Sequence, residues 1–201
     1  MPRLNQRQRA EHTRTTLLSA ARTLFAESGF AHVSLEQIVE AAEMTRGALY
    51  HYYRDKSDLF QAVFEQVESE IVAELIEVIG TVSEDLDADI ERAITAYLDV
   101  CQRAEIRQIS LIDGPTVLGW ATWREIERRY SLGAIIARLV VAENNGMTLP
   151  APPETLAHLI LSATAEAGLL IASAENPPAA RVDAEQGLRA IMRGIAGSPR
   201  A

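Results

Sequence analysis

The stretch Ser34-Leu35-Glu36-Gln37-Ile38-Val39-Glu40-Ala41-Ala42-Glu43-Met44-Thr45-Arg46-Gly47-Ala48-Leu49-Tyr50-His51-Tyr52-Tyr53 decides the fold. It opens on a capping box, in which the Ser34 hydroxyl and the Gln37 amide are spaced to satisfy free backbone N–H groups at a helix start. Leu35, Ile38 and Ala42 then recur at helical spacing over about 35–42. Only Glu43 and Met44 separate this segment from Thr45, a second N-cap type, which starts another helix over about 46–52. Two short helices joined by a tight turn, the second beginning at a capped residue, have the pattern of a helix-turn-helix. The second helix holds more than core packing requires. It carries an arginine, a histidine and three tyrosines within eight residues. Leu49 and Tyr53, four apart, face inward, leaving Arg46, Gly47, Tyr50 and His51 on other faces. Gly47 has no side chain to hold the backbone away from a DNA groove.

Outward from this stretch the apolar spacing is helical almost everywhere. Leu17, Ala20, Ala21, Leu24 and Phe25 mark a first helix over about 9–28, stopped by Gly29. Asp55 is the next N-cap type, with Asp58 in the first turn where the helix dipole favours an acid. A long helix over about 56–79 carries Phe60, Val63, Phe64, Val67, Ile71, Leu75 and Val78 on one stripe. Further helices are predicted at about 86–104, 106–112, 116–144, 154–174 and 183–196, separated by proline-rich breaks at 150–153 and 176–178. No segment alternates with a period of two. The expected fold is all-α with about nine helices: a helix-turn-helix domain over 1–56 and a larger helical domain over 57–201.

The 201 residues carry a net charge of −9, distributed unevenly. Residues 1–56 hold eight basic and six acidic side chains, a net +2, and the remaining 145 hold eleven basic and twenty-two acidic, a net −11. Seven of the eleven aromatic residues fall within the first 64, so a basic, aromatic head precedes an acidic body. Cys101 is the single cysteine, which excludes an internal disulfide framework and a cysteine-rich zinc site. With only Arg103 near it, Cys101 reads as a buried spectator thiol. There is no nucleophile elbow, phosphate loop or His-Glu-x-x-His, so no enzyme activity, cofactor or metal is expected. No apolar run approaches the roughly 18–20 residues of a membrane span, and residues 1–10 are polar. A cytoplasmic protein without a membrane partner is the expectation.

Residues 9–64 resemble the DNA-binding region of the TetR (AcrR-like) family of bacterial regulators. The resemblance lies in the stretch quoted above together with Lys56-Ser57-Asp58-Leu59-Phe60, all at the family's spacing. Glu43 departs from it, because the turn there usually carries glycine; a left-handed Glu43 would cost roughly 1 kcal/mol. Tyr53 replaces the commoner phenylalanine. Chemistry and resemblance together suggest roles. Ser34 and Thr45 sit at helix N-termini suited to phosphate. Arg46 can reach guanine O6 and N7. The resemblance implies phosphate contacts for Tyr50 and Lys56, the chain's only lysine. Gly47 allows close approach, and His51 and Tyr52 are further base or phosphate candidates. Arg3, Arg7 and Arg9 form either an arm along the DNA or a plain polar tail.

The resemblance further implies a homodimer on a palindromic duplex operator and a small-molecule effector held by the body. The last two helices offer a dimer surface through Leu156, Leu159, Ile160, Ala163, Ala167, Leu170, Ile171 and Ala174, with Ala184, Gly187, Leu188, Ile191 and Ile195. Trp120, Trp123, Ile126, Tyr130 and Gly133 share a helix face, either plain core or a pocket wall. Tyr97, Cys101, Leu111, Trp120, Trp123 and Met147 are candidate wall residues. His158, Ser162 and Glu166 share one helix face as a polar patch in the cavity or a metal site, with a hydrogen-bonded structural histidine as the favoured reading. The function implied is a DNA-binding regulator, a repressor released by its effector. An activator of the same family, or an all-α small-molecule carrier that binds no DNA, stands as the alternative.

Overall fold

The computed structural model describes residues 6–81 and 86–196, and among these every regular element is helical. In chain order they are α1 (Gln6–Ser28), a single 3-10 turn (Phe30–His32), α2 (Leu35–Ala41), α3 (Arg46–Tyr52), α4 (Lys56–Ile79), α5 (Leu86–Cys101), α6 (Ala104–Ile106), a π-helical turn (Arg107–Asp113), α7 (Gly114–Leu118), α8 (Trp120–Glu127), a second π-helical turn (Arg128–Leu132), α9 (Gly133–Asn144), α10 (Pro153–Ser173) and α11 (Pro177–Ala196). Where the chain stays helical through a π turn the pieces form one run, which makes nine helical stretches among the described residues. The all-α expectation holds.

Packing divides the chain into two units: a head, Met1–Val67 with Ala104–Gly119, and a body, Glu68–Arg103 with Trp120–Ala201. The expected boundary at 56/57 follows the end of the helix-turn-helix motif. Packing instead carries the first turns of α4, and a segment distant in sequence, into the head.

In the head, Leu17, Ala21 and Phe25 of α1 are fully buried on the face that the spacing predicts. Phe25, Phe30 and Phe60 form a ring cluster with centroids 5.3 to 5.7 Å apart, a separation at which aromatic pairs attract beyond simple burial. α1 begins at Gln6, so Arg7 and Arg9 stand on a helix and not on a separate arm. Arg3 lies outside the described residues. The 104–119 segment joins α1 through a forked ion pair, with Arg22 Nε 2.6 Å from Glu105 Oε1 and Arg22 Nη2 3.1 Å from Oε2. Asp113 Oδ2 accepts from the Phe30 amide at 2.7 Å and from Gln108 Nε2 at 3.0 Å. Gly29, with φ 76°, needs its missing side chain here, since a Cβ would lie 3.0 Å from Gln108 Nε2. The helix expected near 106–112 is mostly π-helical turn.

The single helix expected over 116–144 is corrected. Gly119, at φ 74° and ψ 151°, interrupts it, and the turn at Arg128–Leu132 widens it to i→i+5 bonding. α11 begins at Pro177, earlier than the apolar stripe predicts. A proline at a helix start has no N–H to lose, and Asn176 Oδ1 accepts from the Ala179 amide at 3.3 Å. Ile94, Leu98, Ala167, Ile171 and Leu188 form the core between α5, α10 and α11.

The broad dimer stripe is therefore two surfaces. Leu156, Ala167, Ile171 and Leu188 are buried within one chain, whereas Leu159, Leu170, Val182 and Ile191 are 57%, 55%, 52% and 48% exposed. The side chain of Ile195 lies outside the described residues. α10 also corrects the reading of apolar runs: at 21 residues and a mean hydropathy of 1.5 it is long and apolar enough to cross a membrane. Its Leu156, Ala157, Leu161, Ala165 and Ile171 are buried in the body.

Candidate nucleic-acid interface

The turn between α2 and α3 fixes how α3 is presented. The Met44 amide donates to Val39 O at 2.8 Å and the Glu43 amide to Glu40 O at 3.0 Å, the paired bonds of a Schellman close. That motif requires one left-handed residue, and Glu43 supplies it at φ 53°, the only non-glycine with positive φ among the described residues. The capping box is complete: Ser34 Oγ accepts from the Gln37 amide at 3.2 Å, and Gln37 Oε1 from the Ser34 amide at 2.7 Å. Thr45 Oγ1 accepts from the Ala48 amide at 3.2 Å. α3 then turns Leu49 and Tyr53 into the core, at 0% and 5% exposure. Arg46, Gly47, Tyr50 and His51 are exposed on its outer side, and Tyr52 is half-buried with its ring edge-on to His51.

A methyl group at Gly47 would meet only Thr45 Oγ1, at 3.9 Å. The fold therefore leaves room for a side chain there. Arg46 has two partners in the head: its Nη1 lies 2.8 Å from Glu36 Oε1, and its Nη2 donates to the Tyr50 hydroxyl at 3.4 Å. These neighbours raise the arginine's pKa above its ordinary value, the Tyr50 hydrogen bond first and the Glu36 charge second. It remains a full cation at any physiological pH.

Lys56 differs from its expected place. Its ammonium donates to Phe30 O and Val33 O, both at 2.8 Å, and lies 4.0 Å from the centre of the Phe30 ring. Two of its three N–H groups thus hold the end of the α1–α2 connection against the start of α4. Beside it, Asp55 Oδ1 caps α4 by accepting from the Asp58 amide at 2.8 Å. Asp58 in turn accepts from the Arg54 guanidinium and amide, which hold its carboxyl below the usual range.

Residues 17–63 match the family described as bacterial regulatory proteins of the tetR family, and residues 88–195 match a tetracycline-repressor-like C-terminal domain. A solved TetR-family transcriptional regulator from Pectobacterium atrosepticum is 34% identical, with a TM-score of 0.86 over 98% of this chain and 100% of that one. The chain belongs to the TetR family. A shorter likeness, 45% identity over 65 residues, links it to the regulator AcrR of Shigella flexneri, covering 32% of this chain and 30% of AcrR. The TetC protein of transposon Tn10 from Escherichia coli is 28% identical over 142 residues, 68% of this chain and 70% of TetC. As a TetR-family chain this is a DNA-binding transcriptional regulator and not an enzyme.

The body of this TetR-family regulator separates the candidate effector residues. Leu111 is buried in the head, with the 104–119 segment. Trp120 is 59% exposed, its ring 4.8 Å from that of Trp123, with the Arg124 guanidinium over both rings. Met147 is half-buried. His158 and Ser162 are exposed on α10, where Ser162 Oγ donates to His158 O at 2.8 Å and accepts from Arg124 Nη2 at 2.9 Å.

Tyr97, Cys101 and Trp123 face the interior, and the sequence reading passed over the group beside them, Glu127. The residue is 8% exposed, its carboxylate accepts from Arg124 Nη1 at 2.8 Å, and burial pushes its pKa up to about 7 despite that arginine. Burial likewise pushes the Cys101 thiol up to about 12, against a hydrogen bond with Tyr97 that favours the thiolate. Cys101 is a free, buried thiol, as expected. Glu127 is visible in the sequence only as an acid four residues after Trp123 on an otherwise apolar face.

Proposed function

We propose that this regulator is a homodimeric repressor that binds a palindromic duplex operator and is released by a small molecule held in its body. The observation that carries the reading is the outer side of α3, where a cation, a phenol and an imidazole surround a glycine that the fold does not need. Arg46 reads a base pair through guanine O6 and N7. Ser34, Thr45 and Tyr50 take phosphates, Gly47 permits close approach, and His51 and Tyr52 flank the contact. Lys56 supports this surface from behind and offers its remaining N–H to phosphate. The exposed apolar residues of α10 and α11, Leu159, Leu170, Val182 and Ile191, form the dimer surface. Two heads then meet major-groove faces roughly 34 Å apart. Tyr97, Cys101, Trp123 and Glu127 contact the effector. The cytoplasm, where the operator lies, is the site of action.

The test is binding of the full chain to the DNA upstream of its own gene, followed by fluorescence anisotropy at several salt concentrations. Affinity falls steeply with salt as phosphate contacts release counterions. Arg46→Ala removes about 1–3 kcal/mol of discrimination at one base pair of each half-site, whereas Lys56→Met weakens all sequences alike. A common loss across all sequences for both variants contradicts the assignment.

A further inference from the structure

The acid that pairs with Arg46 stands where an acid is costly. Glu36 is in the first turn of α2, 59% exposed at its side chain, on a surface otherwise suited to a polyanion. A helix start favours an acid there through its dipole, but that does not account for the direction of the side chain. Glu36 Oε1 reaches across the turn to Arg46 Nη1 at 2.8 Å, joining the two helices of the motif through two exposed charges. The Tyr50 hydroxyl takes Nη2 at 3.4 Å, and the Tyr50 ring lies 5.9 Å below the guanidinium carbon. A guanidinium has five N–H donors. Glu36 and Tyr50 use two, and three remain for a guanine that needs two. The plane of the fork is set before any base arrives, and rotation of the group toward other acceptors breaks a charge-assisted bond.

We propose that Glu36 is a specificity-determining positioning residue: it holds one edge of Arg46 and thereby restricts which base pair that arginine accepts. The proposal rests on the reading of Arg46 as a base contact. It makes an unusual demand, because Glu36 repels every phosphate near it while sharpening one contact. Removing it tightens binding to DNA in general and blunts preference at a single position. A residue needed only for the shape of the head would move neither in this way, and one that merely repels would move only the first.

The experiment selects a preferred duplex for the full-length protein from a randomised pool. Single-base-pair variants of it, and one unrelated duplex, are then titrated at fixed salt. Arg46→Ala flattens the preference at one base pair per half-site. Glu36→Ala reduces preference at that same base pair by about 3–10-fold and tightens binding to the unrelated duplex by about 2–5-fold, the range of an exposed charge interaction. Glu36→Gln, which keeps the length and loses the charge, falls between. The double variant has the profile of Arg46→Ala alone. If Glu36→Ala tightens every duplex by one common factor while Arg46→Ala still flattens the profile, the positioning role is overturned and the base contact stands. If Arg46→Ala leaves the profile intact, the base contact falls and the role of Glu36 falls with it. Unchanged thermal unfolding of Glu36→Ala confirms that the fold is not the cause.

Discussion

Head and body place their charges in opposite ways. In the head the aromatic rings of Phe25, Phe30 and Phe60 pack inside, and Arg46, Tyr50 and His51 stand in water. In the body a carboxylate is inside: Glu127 is nearly as buried as the leucines around α5, while Trp120 is in solvent. Cross-helix ion pairs, Arg181 with Asp99 and Arg189 with Glu91, tie α11 to α5 along the body's flank. The difference teaches what each unit responds to. An exposed cation such as Arg46 responds to a polyanion approaching from outside, with little energy tied up in the fold itself. A buried titratable group is coupled to folding, so the body responds to whatever changes its protonation or solvation.

The strongest way to break this comparison is to show that a charge in the head supports the fold. Lys56 is the one expected to. Lys56→Met leaves two carbonyls without their cation, and each hydrogen bond to a charged group contributes about 1.5–3 kcal/mol. Denaturant unfolding should show a loss of about 3 kcal/mol, the lower end of that sum, because Lys56 is only half-buried. A loss below 1 kcal/mol would mean that Lys56 serves DNA alone.

The next largest effect sharpens the body's side of the contrast. Glu127 has a folded pKa of about 7 against an ordinary 4.5, so the folded state binds the extra proton between those values. Its contribution to stability is therefore fully present below about pH 4.5 and is lost as pH rises to 7 and beyond. Across the two values the loss amounts to about 3 kcal/mol. Glu127→Gln should remove this part of the slope, seen as a smaller fall in Tm between pH 5 and pH 8. Parallel Tm profiles for variant and parent would show that the carboxylate is solvated in both states.

The smallest effect separates fold from recognition at one atom. Gly47→Ala meets no neighbour closer than 3.9 Å and replaces the weakest non-proline helix former by the best, so stability should rise by about 0.5–1 kcal/mol. Operator affinity should fall at the same time, because the added methyl projects toward the groove. A variant that is both more stable and equally tight would remove Gly47 from the contact surface.

Local chemistry made the head legible. Caps, the Schellman turn and the inward pair Leu49 and Tyr53 are specified by residues within a few positions of one another, and the strain at Glu43 is anticipated through the resemblance, which expects a glycine there. What escaped is long-range. Nothing near Lys56 indicates that its ammonium turns to carbonyls more than twenty residues back, and nothing near Asp113 indicates that it anchors the Phe30 amide. In the body the apolar periodicity located the helices but not their faces. A helix such as α10 that is apolar most of the way round has an inward and an outward side distinguished only by its neighbours, so Leu156 and Leu159 look alike until α5 and α11 are placed. Glycine in mid-pattern at 119 and the i→i+5 turn at 128–132 leave the stripe almost intact, and so both were hidden.

The forked pair of Arg22 with Glu105 and the grip of Asp113 on the Phe30 amide mean that the DNA-reading unit is sewn from two separated lengths of chain. Cutting after residue 67 and grafting that fragment onto another regulator would carry away an arginine without its carboxylate and a turn without its acceptor. A portable version of this head has to bring residues 104–119 with it, or supply an acid at each of those two places.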